Sequence, residues 1–538
     1  MTRPEGAPAS GPLSYVLHCP HCGAPTEIEA DAVSFSCGHC GSFLTVDHPG
    51  RDELFLAESR VPDADAVREV LIFYRVQSHR AEVVARWGTD DEAGNRRPPP
   101  ESFVQRKLRE YEEEVRERTR IVDAQRVQVP YWHISGWLLQ AVLGREGTGP
   151  KEVRLRAFLV EHSVSAYDSR RFNLRDRGLR LSGSRVKPLG RADKAAAGPF
   201  LPWAPAREQT FREIRQWEKR DLIPGFEAVT RRGGFCFARR ILVYRPMWLA
   251  RAITDAGQSL VLVDAGFATI AGYPSEAEGV ALLRAAVADP EGRESRETRA
   301  VAVKSRCPDC GFEAAFDRRA VVVACANCHR GLAPRPEGVT LVPVGHARGG
   351  LDATWLPFWA FPFRLRAGAA VHETLESWSK ALHVRGLPPG FAPRGPRLFV
   401  PALRLLGTEL GDTAFHDLVE WIHGAAPALA DDKVPLGGRP EFVAATLGAA
   451  DASEALPFVL WALNGKTSAA RLNTLALKQG IESAKLEPGE PRLYFVPFRR
   501  AGAQLVVGEG PAIPALVVDG GPALEAQRAT VDAARDSA

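Results

Sequence analysis

The sequence predicts an α+β, multidomain chain in which a short four-cysteine hairpin unit occurs twice, each copy followed by a β-rich module with helical insertions. Three observations carry that prediction. Eight of the nine cysteines fall into two identical spacing patterns. Short β-favouring segments built on a proline beside an aromatic recur after each pattern. A few intervening segments place their apolar residues at helical intervals. The length, 538 residues, corresponds to three to five folding units at roughly 100–200 residues per domain. With 45% apolar and 25% charged residues, the chain has the balance of a globular protein able to bury a substantial core. Its 69 basic and 65 acidic residues leave a net charge of +4, so a nucleic-acid or membrane partner would need a local patch.

Residues 1–13 are rich in Pro, Gly and Ala and have no apolar h-region, which reads as a disordered tail without a secretory signal. Residues 14–46 hold the first cysteine unit: Cys19-Pro-His-Cys22, fourteen residues, then Cys37-Gly-His-Cys40. Residues 299–335 hold the second: Cys307-Pro-Asp-Cys310, fourteen residues, then Cys325-Ala-Asn-Cys328. Each cysteine of the second set follows its counterpart by 288 positions. A two-residue gap turns both thiolates of a tight knuckle toward one ion. Two knuckles complete the tetrahedral four-sulfur shell that Zn2+ favours in closed structural sites. Pro20 and Gly23 recur as Pro308 and Gly311, where a knuckle needs a rigid bend and a residue tolerant of positive φ. Ile28, Val33 and Phe35 recur as Phe316, Val321 and Val323, as expected for a short hairpin between knuckles. Paired disulfides are disfavoured in a cytoplasmic chain and a redox CxxC needs a thioredoxin-like setting; an iron–sulfur centre stays open as the alternative, though its spacing is usually less regular and not duplicated. The reading is two structural Zn2+ ions per chain, held by Cys19, Cys22, Cys37 and Cys40 and by Cys307, Cys310, Cys325 and Cys328. His21, His39 and His329 are read as knuckle or surface residues, and Cys236 as a buried inert thiol.

Residues 47–126 read as a helical insertion. Its clearest helix spans Ser102 to about Ala124, with Ser102 as N-cap and Val104, Leu108, Tyr111, Val115 and Val122 on one face. Val67–Trp87 fits either a helix or a pair of strands. Residues 127–298 form the first β-rich module, with strands expected at Val127–Leu143, Glu152–Tyr167, Arg240–Ala250 and Ser259–Ala271, and helices near Arg207–Arg220 and Glu276–Ala288. Residues 336–520 form the second. Its expected strands are Thr340–Val344, Leu356–Arg366, Arg397–Leu405, Leu493–Arg499 and Gln504–Val507; its expected helices are Thr413–His423, Pro440–Leu447 and Thr467–Ile481. Val129-Pro130-Tyr131-Trp132 and Tyr244-Arg245-Pro246-Met247-Trp248 in the first module find partners in Leu356-Pro357-Phe358-Trp359, Val400-Pro401 and Phe495-Val496-Pro497-Phe498 in the second. Proline inside such strands implies an edge or a bulge. Residues 521–538 read as a flexible tail.

Other signals are weaker. Asn464-Gly465-Lys466-Thr467 resembles the end of a phosphate loop, but Leu460 stands where the first glycine belongs, so a turn starting a helix is the better reading. His416, Glu420 and His423 share a helix face at metal-ligand spacing and read as a solvated flank. Arg170, Arg171, Arg175, Arg177, Arg180, Arg185 and Lys187 belong to a basic stretch that could contact a phosphate backbone or an anionic membrane surface. No segment approaches the roughly 20 apolar residues of a transmembrane helix, and no catalytic signature is present.

The Cys-Pro-x-Cys-Gly…Cys-x-x-Cys units resemble the zinc ribbons of transcription factors, RNA polymerase subunits and many bacterial proteins. A ribbon followed by Pro-Phe-Trp strands is loosely similar to bacterial zinc-ribbon proteins encoded with membrane-stress and flotillin-like components, which often carry transmembrane helices. The expectation is a cytoplasmic, non-catalytic scaffold or adaptor for protein–protein assembly. Nucleic-acid binding through a ribbon or Arg170–Lys194 is the alternative, and an enzyme without a recognisable motif the third reading.

Overall fold

The computed structural model describes residues 14–29, 32–47, 53–90, 96–148, 152–167, 185–189, 197–202, 226–287, 299–317, 319–347, 353–374, 377, 397–403, 409–425, 441–465, 484–501, 504–506 and 512–514. The expected tails, the helices at Arg207–Arg220 and Thr467–Ile481, and most of the basic stretch lie outside these residues.

The first half begins with β1 (Ser14–His18), β2 (Pro25–Glu29), β3 (Ser34–Ser36), β4 (Phe43–Asp47) and β5 (Glu53–Ala57). Helix α1 (Ala64–Trp87) follows, then a hairpin of β6 (Thr89–Asp90) and β7 (Arg96–Arg97), and helix α2 (Glu101–Arg118). Long strands come next: β8 (Arg120–Glu146) and β9 (Glu152–Ser165), then the short β10 (Arg185–Pro188) and the long β11 (Phe226–Thr254). β12 (Gly257–Asp264), β13 (Thr269–Gly272) and α3 (Glu276–Ala285) close this half. A nine-stranded sheet runs β13-β12-β11-β5-β10-β1-β2, with β8 on β11 and β9 on β8.

The ambiguous Val67–Trp87 is helical. The Asp63 side chain accepts the Ala66 N–H at 2.8 Å, and Val67, Leu71, Ile72, Val76 and Val83 are buried along α1. Ile72, Val76 and Val83 pack with Val104, Leu108 and Val115 of α2. The second expected helix is shorter than its pattern. α2 starts after Pro100 and ends at Arg118, so Ser102 lies in the first turn and is not the cap. Thr119 is extended, and Val122 is 58% exposed on β8. The chain leaves the helix here because β11 offers β8 a partner along almost its whole length, beginning with Ile253 opposite Arg120. Ser259–Ala271 divides into β12 and β13, which pair antiparallel across a turn.

The second half comprises β14 (Arg299–Ala302), β15 (Val323–Ala324), β16 (Gly331–Arg335), β17 (Gly338–Val342), β18 (Val344–His346), β19 (Thr354–Ala367), β20 (Ala370–His372) and β21 (Arg397–Pro401). Helix α4 (Glu409–Ala425), β22 (Glu441–Phe442), α5 (Ala449–Glu454) and α6 (Leu456–Gly465) precede β23 (Lys485–Pro488), β24 (Arg492–Ala501), β25 (Gln504–Val506) and β26 (Ala512–Pro514). The second nine-stranded sheet runs β20-β19-β24-β25-β26, with β18 on β24 and β21, β22 and β23 on β19. Pro440–Leu447 is not the helix its composition favours. Glu441 and Phe442 pair parallel to β19, and the Val443 and Ala445 N–H groups donate to Trp355 and Val322 carbonyls at 2.9 and 2.8 Å. Long-range backbone partners thus override local propensity.

The module repeat is visible in strand pairing. In each half, the first strand after the ribbon's own small sheet (β5, β18) runs parallel to a late Pro-aromatic strand (β11, β24). An earlier Pro-aromatic strand (β8, β19) lies antiparallel to that late strand, and a return strand (β9, β21) pairs with the earlier one. Pro130 faces Tyr244, and Pro357 faces Phe495. The carbonyls of these two prolines each accept one N–H beyond the return strand, from Ala166 at 3.0 Å and Ala402 at 2.9 Å.

The halves share a core. β8 and β11, of 27 and 29 residues, extend well past the first module. Their far ends carry Trp137, Leu139, Ala141, Leu143 and Cys236 into the same cluster as Phe358, Leu418 and Trp461 of the second. A Cβ on Gly234 would meet the Phe458 ring at 2.6 Å, so only glycine lets α6 approach this closely.

Candidate metal centres

Four knuckles share one backbone construction. At each, the N–H four residues after the first cysteine donates to that cysteine's carbonyl: Gly23 to Cys19 at 2.8 Å, and Gly41 to Cys37, Gly311 to Cys307 and His329 to Cys325 at 2.9 Å. The donor residue has positive φ each time: 75°, 71°, 71° and 58°. Glycine is free to take that conformation. His329 belongs to the few residue types that adopt it with moderate strain, so it is a knuckle residue, as its position implied. Each first cysteine also donates its own N–H beyond the turn, to Ala24, Ser42, Phe312 and Arg330 at 3.0, 2.9, 2.9 and 2.8 Å. The knuckles lie between β1 and β2, β3 and β4, β14 and the segment leading to β15, and β15 and β16.

This construction brings the eight thiols into two groups. Within each, the four Sγ atoms lie within 4.8 Å of one another. Cys19 and Cys40 are 3.8 Å apart and Cys22 and Cys37 3.7 Å; Cys307–Cys328 and Cys310–Cys325 are both 3.6 Å. A disulfide would bring the sulfurs to about 2.05 Å. A regular tetrahedron of thiolates about 2.3 Å from a zinc ion has edges of about 3.8 Å, which these separations match. Cys19, Cys37, Cys307 and Cys325 are buried, and the second cysteine of each knuckle is less so.

The electrostatics favour an anionic ligand at each site. Backbone N–H groups of Cys40 and then His39 hold the Cys37 thiol down near 6. The Asn327 side chain, followed by the Phe312 N–H, holds Cys310 down to about 6. Cys37 and Cys310 are thus the readiest of their groups to give up a proton, while burial pushes Cys325 and Cys328 up. Cys236 behaves oppositely. It is buried, its thiol is pushed up by desolvation, and it approaches the Glu454 carbonyl at 3.5 Å, as an inert core thiol does.

The two centres are neighbours. β14, just before the second unit, pairs with β4 of the first, Ala302 opposite Leu44 and Arg299 opposite Asp47. Phe43 stacks on Phe316 with ring centroids 5.1 Å apart, and Arg319 forms an ion pair with Glu29. Ser34 Oγ donates to the Asp317 carbonyl at 3.3 Å.

Among the described residues, the other sequence candidates do not assemble into a site. His423 is buried, not solvated. Its Nε2 accepts the Phe399 N–H at 3.0 Å, and Nδ1 donates to the Val419 carbonyl at 2.6 Å, so neither nitrogen is available to a metal. His416 Nε2 lies 3.3 Å from Glu420, and its Nδ1 accepts the Leu155 N–H at 3.2 Å. Asn464 and Gly465 end α6 instead of starting a helix, and Lys466 and Thr467 lie outside the described residues. Arg170, Arg171, Arg175, Arg177 and Arg180 also lie outside them, while Arg185 and Lys187 sit on β10, with Lys187 exposed. No described helix is long and apolar enough to cross a membrane. The chain matches no family model, no curated protein and no solved structure.

Proposed function

We propose that the chain is a zinc-braced, non-catalytic scaffold that mediates protein–protein assembly in the bacterial cytoplasm, with one structural Zn2+ in each four-cysteine site. The observation that supports this reading is the pair of four-cysteine groups, carried by units that are joined to each other through the β4–β14 pairing. Four cysteine thiolates fill a tetrahedral ion's shell and leave no position for water or substrate, so the role suited to such ions is to hold structure. Zinc is the metal this donor set and its edge lengths favour. Two repeated modules fixed at a shared brace would present two related sheet surfaces in a constant relation, as an assembly protein requires.

Affinity purification of the full chain from its own cells tests the reading. The expected result is a protein that co-purifies in stoichiometric amount through gel filtration and is lost when Cys310→Ser disrupts a site. Retention of nucleic acid instead, falling steeply with salt and weakened by charge reversal of Arg175, Arg177 and Arg180, would support the nucleic-acid reading over it. Turnover of a substrate by the purified chain would overturn the non-catalytic part.

A further inference from the structure

The two ribbons do not have equivalent surroundings. The second completes its three-stranded sheet with the strand that directly follows it in sequence, β15-β16-β17. The first borrows its third strand: its sheet is β14-β4-β3, and β14 is the lead-in to the second ribbon's Cys307. The borrowed strand lies against β4, whose Leu44 and Val46 are buried in one cluster with Cys19 and Cys37, and Ala300 of β14 packs on that cluster. The Val303 N–H extends the ladder to the Phe43 carbonyl at 3.1 Å. Phe43 in turn stacks on Phe316, which packs in the second ribbon's core with Cys307, Cys325 and Cys328. Arg319 and Asp317, from the loop between the second ribbon's knuckles, hold Glu29 and Ser34 of the first.

We infer that the two four-cysteine sites form one cooperative zinc-binding unit, in which loading of either site raises the other's affinity. The inference rests on the zinc reading above. A ribbon without its ion loses most of its folding free energy. Emptying the second site releases the loop that carries Phe316, Asp317 and Arg319 and frees the end of β14. The first site then loses its third strand, its aromatic stack and its ion pair, and must be organised without them. Linkage makes the effect reciprocal, so emptying the first site weakens the second by the same factor. Inter-site couplings are typically 5–150-fold, and the contacts here place this one at about tenfold or more.

The test is competition of the full-length chain, under reducing conditions, against a chromophoric zinc chelator of known affinity. Cys310→Ser combined with Cys325→Ser leaves only the first site, whose zinc affinity should fall about tenfold or more below wild type. Cys22→Ser combined with Cys37→Ser should weaken the second site by the same factor. Phe316→Ala keeps all eight ligands and should lower the cooperativity of two-zinc loading. Glu29→Arg should do so too, and the double variant Glu29→Arg/Arg319→Glu should recover part of the loss. Two zincs bound by the wild-type chain, with the affinity of the remaining site in each cysteine variant unchanged within twofold and no effect of Phe316→Ala, would overturn the coupling and leave the zinc reading standing. A wild-type chain that takes up no zinc would overturn both.

Discussion

Replacing His423 with leucine separates two contributions of one buried ring. Burial holds the His423 imidazole at about 4 in the fold, against 6.5 for the ordinary group. Below pH 6.5 the unfolded chain takes up a proton that the folded chain refuses, so this residue's linkage makes stability fall as pH falls, down to about pH 4; above pH 6.5 it has no effect. At about 1.36 kcal/mol per pK unit, the full loss is about 3 kcal/mol, of which about 2 kcal/mol falls between pH 7 and pH 5. His423→Leu removes that loss. At pH 7 it also strands the Phe399 N–H, which donates to Nε2 at 3.0 Å, at a cost of about 1–3 kcal/mol. Chemical denaturation at pH 7 and pH 5 should therefore show the variant less stable than wild type at pH 7, with the gap narrowed by about 2 kcal/mol at pH 5. Other titrating groups are common to both proteins and cancel in the difference, including His346, which burial also holds near 4, and the metal thiolates. Equal pH slopes in the two proteins would refute the reasoning.

Substitutions at two further places test the packing. Gly331 occupies the position that Phe43 holds in the first ribbon, and a Cβ there would lie 2.4 Å from Val344 Cγ1 and 2.7 Å from the Val342 carbonyl oxygen. Gly331→Ala should cost about 1–3 kcal/mol, read as a lowered thermal midpoint; an unchanged midpoint would contradict the close approach of β17. Arg245 and Asp264 form a fully buried ion pair, with Arg245 Nε and Nη1 making no hydrogen bond. Asp264→Ala should destabilise by about 3–5 kcal/mol, while Arg245→Met with Asp264→Leu should recover most or all of it, because an apolar pair avoids desolvating two charges; a double variant as unstable as the single would refute this.

The two four-cysteine groups were legible because the chemistry of a site able to hold a metal fixes its spacing. Thiolates that must converge on one ion from two tight turns leave a Cys-x-x-Cys mark that no core packing imitates. The Pro-aromatic strands were legible for a related reason, since proline beside an aromatic is rare inside a sheet, and Pro130 and Pro357 occupy corresponding places in the two ladders. What stayed hidden depends on distant partners. The segment expected as a helix at 440–447 has helical composition, but the Val443 and Ala445 N–H groups are taken by Trp355 and Val322, more than eighty positions away. His423 has the spacing of a solvated flank, yet β21 lies over it and turns both nitrogens to backbone groups. The pairing of the ribbons through Phe43, Phe316, Glu29 and Arg319 leaves no local pattern. The 288-residue offset was the one hint that the ribbons form a matched pair.

Metal content of the native, full-length protein, measured by mass spectrometry alongside thiol titration, tests the central claim most directly. The account predicts two zinc ions per chain, with the eight cysteines of the two clusters protected from thiol reagents until a chelator is added. Iron in place of zinc, fewer than two ions per chain, or eight thiols reactive before chelation would contradict it.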